Sequence, residues 1–134
     1  MTVFRTKSRA AILAVALVGV FLLGSSELEA HTFTANSTVS IRFHDGKFKG
    51  RVRSPRERCE KRRLVKVYKA RPNRPDVFIG EDRTNDNGFY RVRKPRGVKG
   101  KFYARATRKV TQHPNYPTQV HRCRRALSRV IKAP

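Results

Sequence analysis

Tryptophan is missing from this chain, methionine occurs once, and acidic residues number only nine against 32 lysines and arginines. Without tryptophan or methionine, any core must be built from Val, Phe, Tyr, Leu, Ile and Ala, a set suited to β-structure. The acids after residue 30 are Asp45, Glu57, Glu60, Asp76, Glu81, Asp82 and Asp86. They stand in turn-like stretches or beside arginines and read as surface ion pairs or caps rather than a general acid–base pair. GxSxG, HExxH and the phosphate-binding P-loop are all absent, which removes the hydrolase, zinc-protease and nucleotidase chemistries that those spacings serve. The chain is therefore read as not an enzyme, with no cofactor. Two cysteines, neither in a CxxC pair, give no support to a zinc knuckle or a thioredoxin-like site. No stripe of period 3.6 persists after residue 30, and no internal repeat is apparent.

What is present begins with the leader. Arg5, Lys7 and Arg9 precede an uninterrupted apolar run from Ala10 to Gly24, and the polar stretch Ser25–Ala30 follows. This is the layout of a secretory signal peptide, residues 1–30, with cleavage after Ala30. The run is shorter than the roughly 20 residues of a bilayer span, so no membrane anchor is expected after cleavage. The leader carries Arg5, Lys7 and Arg9 against Glu27 and Glu29, which leaves +22 of the total +23 on residues 31–134. So much like charge opposes compaction and attracts polyanions. In a secreted chain, two cysteines point to one disulfide, Cys59–Cys123, which offsets part of that repulsion.

Short alternating segments recur along residues 38–132, punctuated by Gly, Pro, Asn and Asp. They are Thr38–Phe43, Lys47–Arg53, Leu64–Ala70, Val77–Gly80, Phe89–Arg93, Lys101–Val110 and Ala126–Lys132. In the last of these the inward face is ambiguous, since Leu127 and Ile131 compete with Ala126 and Val130. Seven such strands predict an all-β fold, a Greek-key β-sandwich after an N-terminal signal helix. Residues 31–45 read as an arm plus first strand, with His31–Ser37 loose, and residues 46–132 as the sandwich. Asn85, Asp86, Asn87 and Gly88 form a turn, Gly88 supplying a positive φ. Gln112–Pro117 reads as a Pro-rich contact loop or a long rigid connection.

The segments Phe48–Val52, Cys59–Tyr68, Gly80–Val92 (GEDRTNDNGFYRV) and Gly100–Ala104, with Cys123 before a last strand, resemble the carboxypeptidase regulatory-like, or transthyretin-like, β-sandwich domains of the small secreted two-cysteine type. The resemblance covers residues 46–132. It implies an accessory, adhesive or carbohydrate-associated module and carries no catalytic motif.

Lys47, Lys49, Arg51, Arg53, Lys66, Arg91, Arg93, Lys101 and Arg105 alternate with apolar neighbours, which spreads charge over the outer strand faces. Arg62, Arg63, Arg122, Arg124 and Arg125 flank the two cysteines, and a disulfide would gather them into one polyanion-binding patch. The expected partners are anionic polymers of the cell envelope or extracellular matrix, with no specific nucleic acid. Phe89, Tyr90, Tyr103 and Tyr116 offer stacking surfaces or core. A copper reading competes: a cleaved terminus at His31 would offer imidazole and amine nitrogens to Cu(II), with His44, His113 or His121 as a further ligand. A structural or adhesive module with no soluble ligand is the third reading. Asn36, Ser37 and Thr38 form a glycosylation sequon. A monomer is expected.

Overall fold

The computed structural model describes residues 30–134, so the leader expectation for residues 1–29 lies outside it. Alternation of apolar and charged residues dictates strands, and strands dominate. They are β1 (Thr32–Ala35), β2 (Thr38–Val39), β3 (Arg42–His44), β4 (Lys47–Arg53), β5 (Leu64–Ala70), β6 (Val77–Arg83), β7 (Phe89–Arg93), β8 (Gly100–Ala106), β9 (Lys109–His113), β10 (Tyr116–Cys123), β11 (Ala126–Leu127) and β12 (Ile131–Ala133). One short helix, α1 (Glu57–Glu60), interrupts them. No helix among the described residues is long and apolar enough to cross a membrane.

Three sheets result. In the first, β4 is flanked by β7 on one edge and by β2 and β3 on the other. In the second, the order runs β6–β5–β8, with β11 and β12 both on the far edge of β8. These two share one core. Phe48, Val52, Tyr90 and Val92 from the first meet Val65, Val67, Phe102, Ala104 and Ala106 from the second. Phe48 and Phe102 are fully buried with ring centroids 4.8 Å apart. Each such burial contributes about 1.5–3 kcal/mol.

Two of the expected strands are each broken by a serine. Between β2 and β3, Ser40 Oγ accepts the Arg51 N–H at 2.9 Å. Between β11 and β12, Ser128 Oγ accepts the Ala104 N–H at 2.8 Å. In both places a hydroxyl substitutes for a backbone carbonyl and the ladder is interrupted. The second break resolves the ambiguous face of the last segment. Ala126 points inward before it and Ala133 after it, while Leu127 and Val130 stay exposed. At Asp45 and Gly46, φ values of 49° and 69° close the β3–β4 hairpin. Positive φ at both central positions is the type I′ signature of an Asp-Gly turn.

The third sheet, β1–β10–β9, corrects three expectations. The segment His31–Ser37 is not loose: β1 pairs in parallel with β10, Thr32 opposite Val120 through Ala35 opposite Cys123. The segment Lys101–Val110 is not one strand. It turns at Thr107 and Arg108, so that β8 serves the second sheet and β9 the third. Gln112–Pro117 is the tip of the β9–β10 hairpin, with Tyr116 opposite His113.

A small apolar cluster of Ala35, Cys59 and Cys123 lies where this sheet meets α1. There the Cys59–Cys123 disulfide, Cα atoms 5.4 Å apart and 64 residues apart in sequence, ties β10 to α1. A cross-link closing a loop of that length contributes about 4 kcal/mol in the chain-entropy account. Reduction is expected to lower the unfolding free energy by about that amount, read from denaturant curves with and without reductant. A shift in midpoint equivalent to less than about 1 kcal/mol would show that the cross-link adds little to a preformed contact.

Candidate functional site

A broad concavity on the first sheet lies beside a position with no side chain. Gly50 on β4 lies opposite Tyr90 on β7. A Cβ at position 50 would overlap the Ser40 carbonyl and sit 2.6 Å from the Tyr90 hydroxyl oxygen. The space is needed because the Tyr90 hydroxyl reaches past Gly50 and donates to the Ser40 carbonyl at 2.7 Å. Burial pushes the Tyr90 phenol pKa up, so it is a neutral donor at physiological pH. A glycine within a strand marks this kind of close approach.

Beside that notch lies a groove of about 760 Å³ lined by Arg42, Lys49, Arg51, Arg53 and Arg91, with Phe89 and Tyr90. Strand register sets its charge. Lys49 is opposite Arg42 on one side and Arg91 on the other, so three cations form one row across three strands. Lys47, between His44 and Arg93, forms a parallel row. Like charges directly opposite one another destabilise a sheet.

No described carboxylate is ion-paired with Arg42, Lys49 or Arg91, whereas in the second row His44 meets Asp45 at 2.7 Å. Among the described residues the ion pairs are His44–Asp45, Lys61–Glu57 and Lys66–Glu81. Asp82 accepts the Arg91 backbone N–H at 2.8 Å, and among the described residues the Arg91 guanidinium makes no ion pair. Arg51 is held by donation to the Asn87 carbonyl at 2.8 Å, with its guanidinium 5.1 Å from the Phe89 ring centroid. Phe89 itself is 46 % exposed.

The turn Asn85, Asp86, Asn87 and Gly88 supports the groove wall. Asn85 Oδ1 accepts the N–H groups of Asn87 and Phe89, both at 3.0 Å. Gly88 has φ +80°, and its carbonyl accepts from the Val52 N–H at 2.9 Å.

Four of the five arginines near the disulfide are surface residues and one is not. Arg62, Arg122, Arg124 and Arg125 are exposed, whereas Arg63 is fully buried and is no surface ligand. Its guanidinium donates to the carbonyls of Cys59 at 3.0 Å, Thr107 at 2.5 Å and Arg124, and to Ser37 Oγ at 3.3 Å. Its backbone N–H donates to Thr84 Oγ1 at 2.7 Å. Arg63 thus bridges the same two chain segments as the disulfide, from inside. Beside it, burial and then Arg63, Arg83, Arg62 and Arg58 hold the Lys109 pKa below its ordinary value. Lys109 donates to the carbonyls of Arg58, at 2.9 Å, and Lys61. A recess of about 410 Å³ on this side is lined by Arg108, Lys109, Arg122 and Arg124.

The histidines are dispersed. His31 is exposed just before β1, and His44 sits on the first sheet, 2.7 Å from Asp45. His113 and His121 are diagonal neighbours on the third sheet, with ring centroids 6.5 Å apart. No group of three or more His, Cys, Asp or Glu side chains is placed to hold a metal among the described residues. Asn36, the sequon residue, is exposed between β1 and β2. Asp76 accepts from the Tyr103 hydroxyl at 2.5 Å and Glu60 from the Ser54 N–H at 2.8 Å, so both are engaged structurally.

Sequence reasoning placed Lys49, Arg51 and Arg91 outward but did not place Arg42 or the rows, because a row exists only through register. The one local signal was Gly50 inside an otherwise regular strand. No family model matches the chain, and no match is found among curated proteins or solved structures.

Proposed function

We propose that this protein is a secreted, non-enzymatic module that binds anionic polymers along the outer face of β3, β4 and β7. The observation that carries the reading is the unneutralised row Arg42, Lys49 and Arg91 beside the exposed Phe89. A sheet that tolerates such repulsion gains most when a polyanion supplies the missing charge. Alternate residues on one strand face are about 6.7 Å apart, so Lys47, Lys49, Arg51 and Arg53 offer a ladder of cations to a linear chain. The Greek-key, transthyretin-like sandwich belongs to this reading and is supported by two sheets sharing one core. Arg62, Arg122, Arg124 and Arg125 form a secondary basic surface for the same ligand class.

The test is binding of the purified protein to duplex DNA, polyphosphate, an acidic polysaccharide and a neutral glucan over a salt series. Polyanions are expected to bind, with log affinity falling linearly as log salt rises, and the glucan is expected not to bind. Equal capture of the neutral glucan, or affinity indifferent to salt, would overturn the reading.

A further inference from the structure

The third sheet carries an oddity absent from the rest of the described chain. Its cross-strand pair Thr111 and His121 holds all three buried side-chain polar atoms without a hydrogen-bond partner: Thr111 Oγ1, His121 Nδ1 and His121 Nε2. His121 is 7 % exposed, and its ring stacks on Phe33 of β1, centroids 5.3 Å apart. An unpaired buried polar group costs about 1–3 kcal/mol, and here three lie together.

His121 also lines a recess of about 420 Å³ with Arg56, Arg58, His113 and Gln119. Donors therefore converge from three directions. Arg56 and Arg58 come from the segment around α1, His113 from β9, and His121 from β10. Lys109, two residues before Thr111 on β9, belongs instead to the recess beside the disulfide and donates to the Arg58 and Lys61 carbonyls. The one acid in the recess, Glu57, is engaged by Lys61. The Arg56 guanidinium is placed 5.0 Å from the Phe33 centroid rather than on a carboxylate.

We propose that this recess is a second, discrete site that binds one tetrahedral oxyanion group, a phosphate or sulfate, between His121 and the guanidinium groups of Arg56 and Arg58. The alternative occupant beside two neighbouring imidazoles is a metal dication. Two guanidinium groups in the same recess, neither of them ion-paired with a described carboxylate, oppose it, and the same two favour an oxyanion. Guanidinium forks match tetrahedral oxyanions bidentately.

Binding couples to a proton. Burial, then Arg58, Arg56 and His113, keep the His121 pKa below the ordinary histidine value. The ring is therefore neutral near neutrality, with one N–H donor. A bound anion stabilises the imidazolium, which has two donors, so affinity rises as pH falls.

The test titrates the full chain with inorganic sulfate, whose charge is constant across the range, and follows the His121 ring signals by NMR at about pH 5.5 and pH 7.5. Saturable sulfate binding is expected, at least about tenfold tighter at the lower pH. His121→Phe, which keeps the stack on Phe33, is expected to remove the pH dependence, and Arg56→Gln to weaken binding about tenfold at both pH values. Inorganic phosphate and a 5′-phosphorylated oligonucleotide, compared with its unphosphorylated twin, separate a free anion from the end of a polymer.

Lys49→Gln is expected to leave the sulfate site intact, which separates failure here from failure of the polymer groove. Sulfate shifts spread evenly over the surface and unchanged in both variants would overturn the site. So would stoichiometric Zn(II) binding at His113 and His121 that sulfate does not compete with.

Discussion

Replacing Arg63 with leucine is expected to destabilise the fold by about 3–5 kcal/mol, more than any other single basic substitution in the chain. Arg63 is the largest fully buried side chain and has no carboxylate partner. Burial pushes its pKa down to about 10, so it remains charged at neutral pH. Such a charge is costly to bury, and removing it relieves that cost. Four oxygens then lose their donor, however, and three of them are backbone carbonyls with little freedom to move. Each unsatisfied buried acceptor costs about 1–3 kcal/mol, which outweighs the relief. Arg63→Lys is expected to rescue little, because a point ammonium cannot reach acceptors on several sides as a planar fork does. Urea unfolding of the two variants reads the effect. A leucine variant within about 1 kcal/mol of the parent would mean that the desolvation cost of the charge cancels its hydrogen bonds.

Charge reversal at Lys49 is expected to move two properties in opposite directions. Lys49→Glu places a carboxylate between Arg42 and Arg91, converting two repulsive cross-strand pairs into attractive ones. Stability is expected to rise by about 0.2–1 kcal/mol for each pair. Polyanion affinity is expected to fall, and the salt dependence of log affinity to shallow by about 0.7–0.9 for the one cation that no longer meets the polymer. Reversal at Lys49 and Arg91 together is expected to weaken polyphosphate binding about a hundredfold at low salt, against a smaller loss for Arg62 and Arg122 together. Equal losses at both places would show that only net charge matters. A drop in melting temperature with Lys49→Glu would show that the row is not repulsive in the folded protein. Opposed signs are the mark of residues retained for binding at the expense of stability.

How much of this was legible beforehand varies by element. β4, β5 and β7 run over the residue ranges that alternation alone defines, because Phe48 and Val52, Val65 and Val67, and Tyr90 and Val92 each line one face. β10 was not legible. Its run from Tyr116 to Cys123 holds Pro117, Thr118 and Gln119 in sequence, and no apolar alternation announces it. Without β10, nothing was available for β1 to pair with, so the arm read as loose. Arg63 is a different kind of miss. Extending the parity of Val67 and Val65 back by one step lands on Arg63 and turns it inward, while Arg62 faces out. Its charge suggested a surface ligand, and parity prevailed because backbone carbonyls waited inside. The groove lay beyond sequence reading for a third reason: Arg42, Lys49 and Arg91 become neighbours only when three strands take one particular register.

The parallel pairing of β1 with β10 also sets an order of events. Thr32 through Ala35 have their partners at Val120 through Cys123, and almost the whole described chain lies between them. During vectorial synthesis β1, the first strand among the described residues, is thus among the last of them to find its place. Until then its edge is unpaired, and Phe33 lacks the imidazole on which it stacks. The first two sheets draw on residues 38–133 and can assemble without it. Closure of such a long loop is slow by its topology. Until that closure the β1 edge offers unpaired N–H and C=O groups to other strands, and the chain's own positive charge keeps its copies apart.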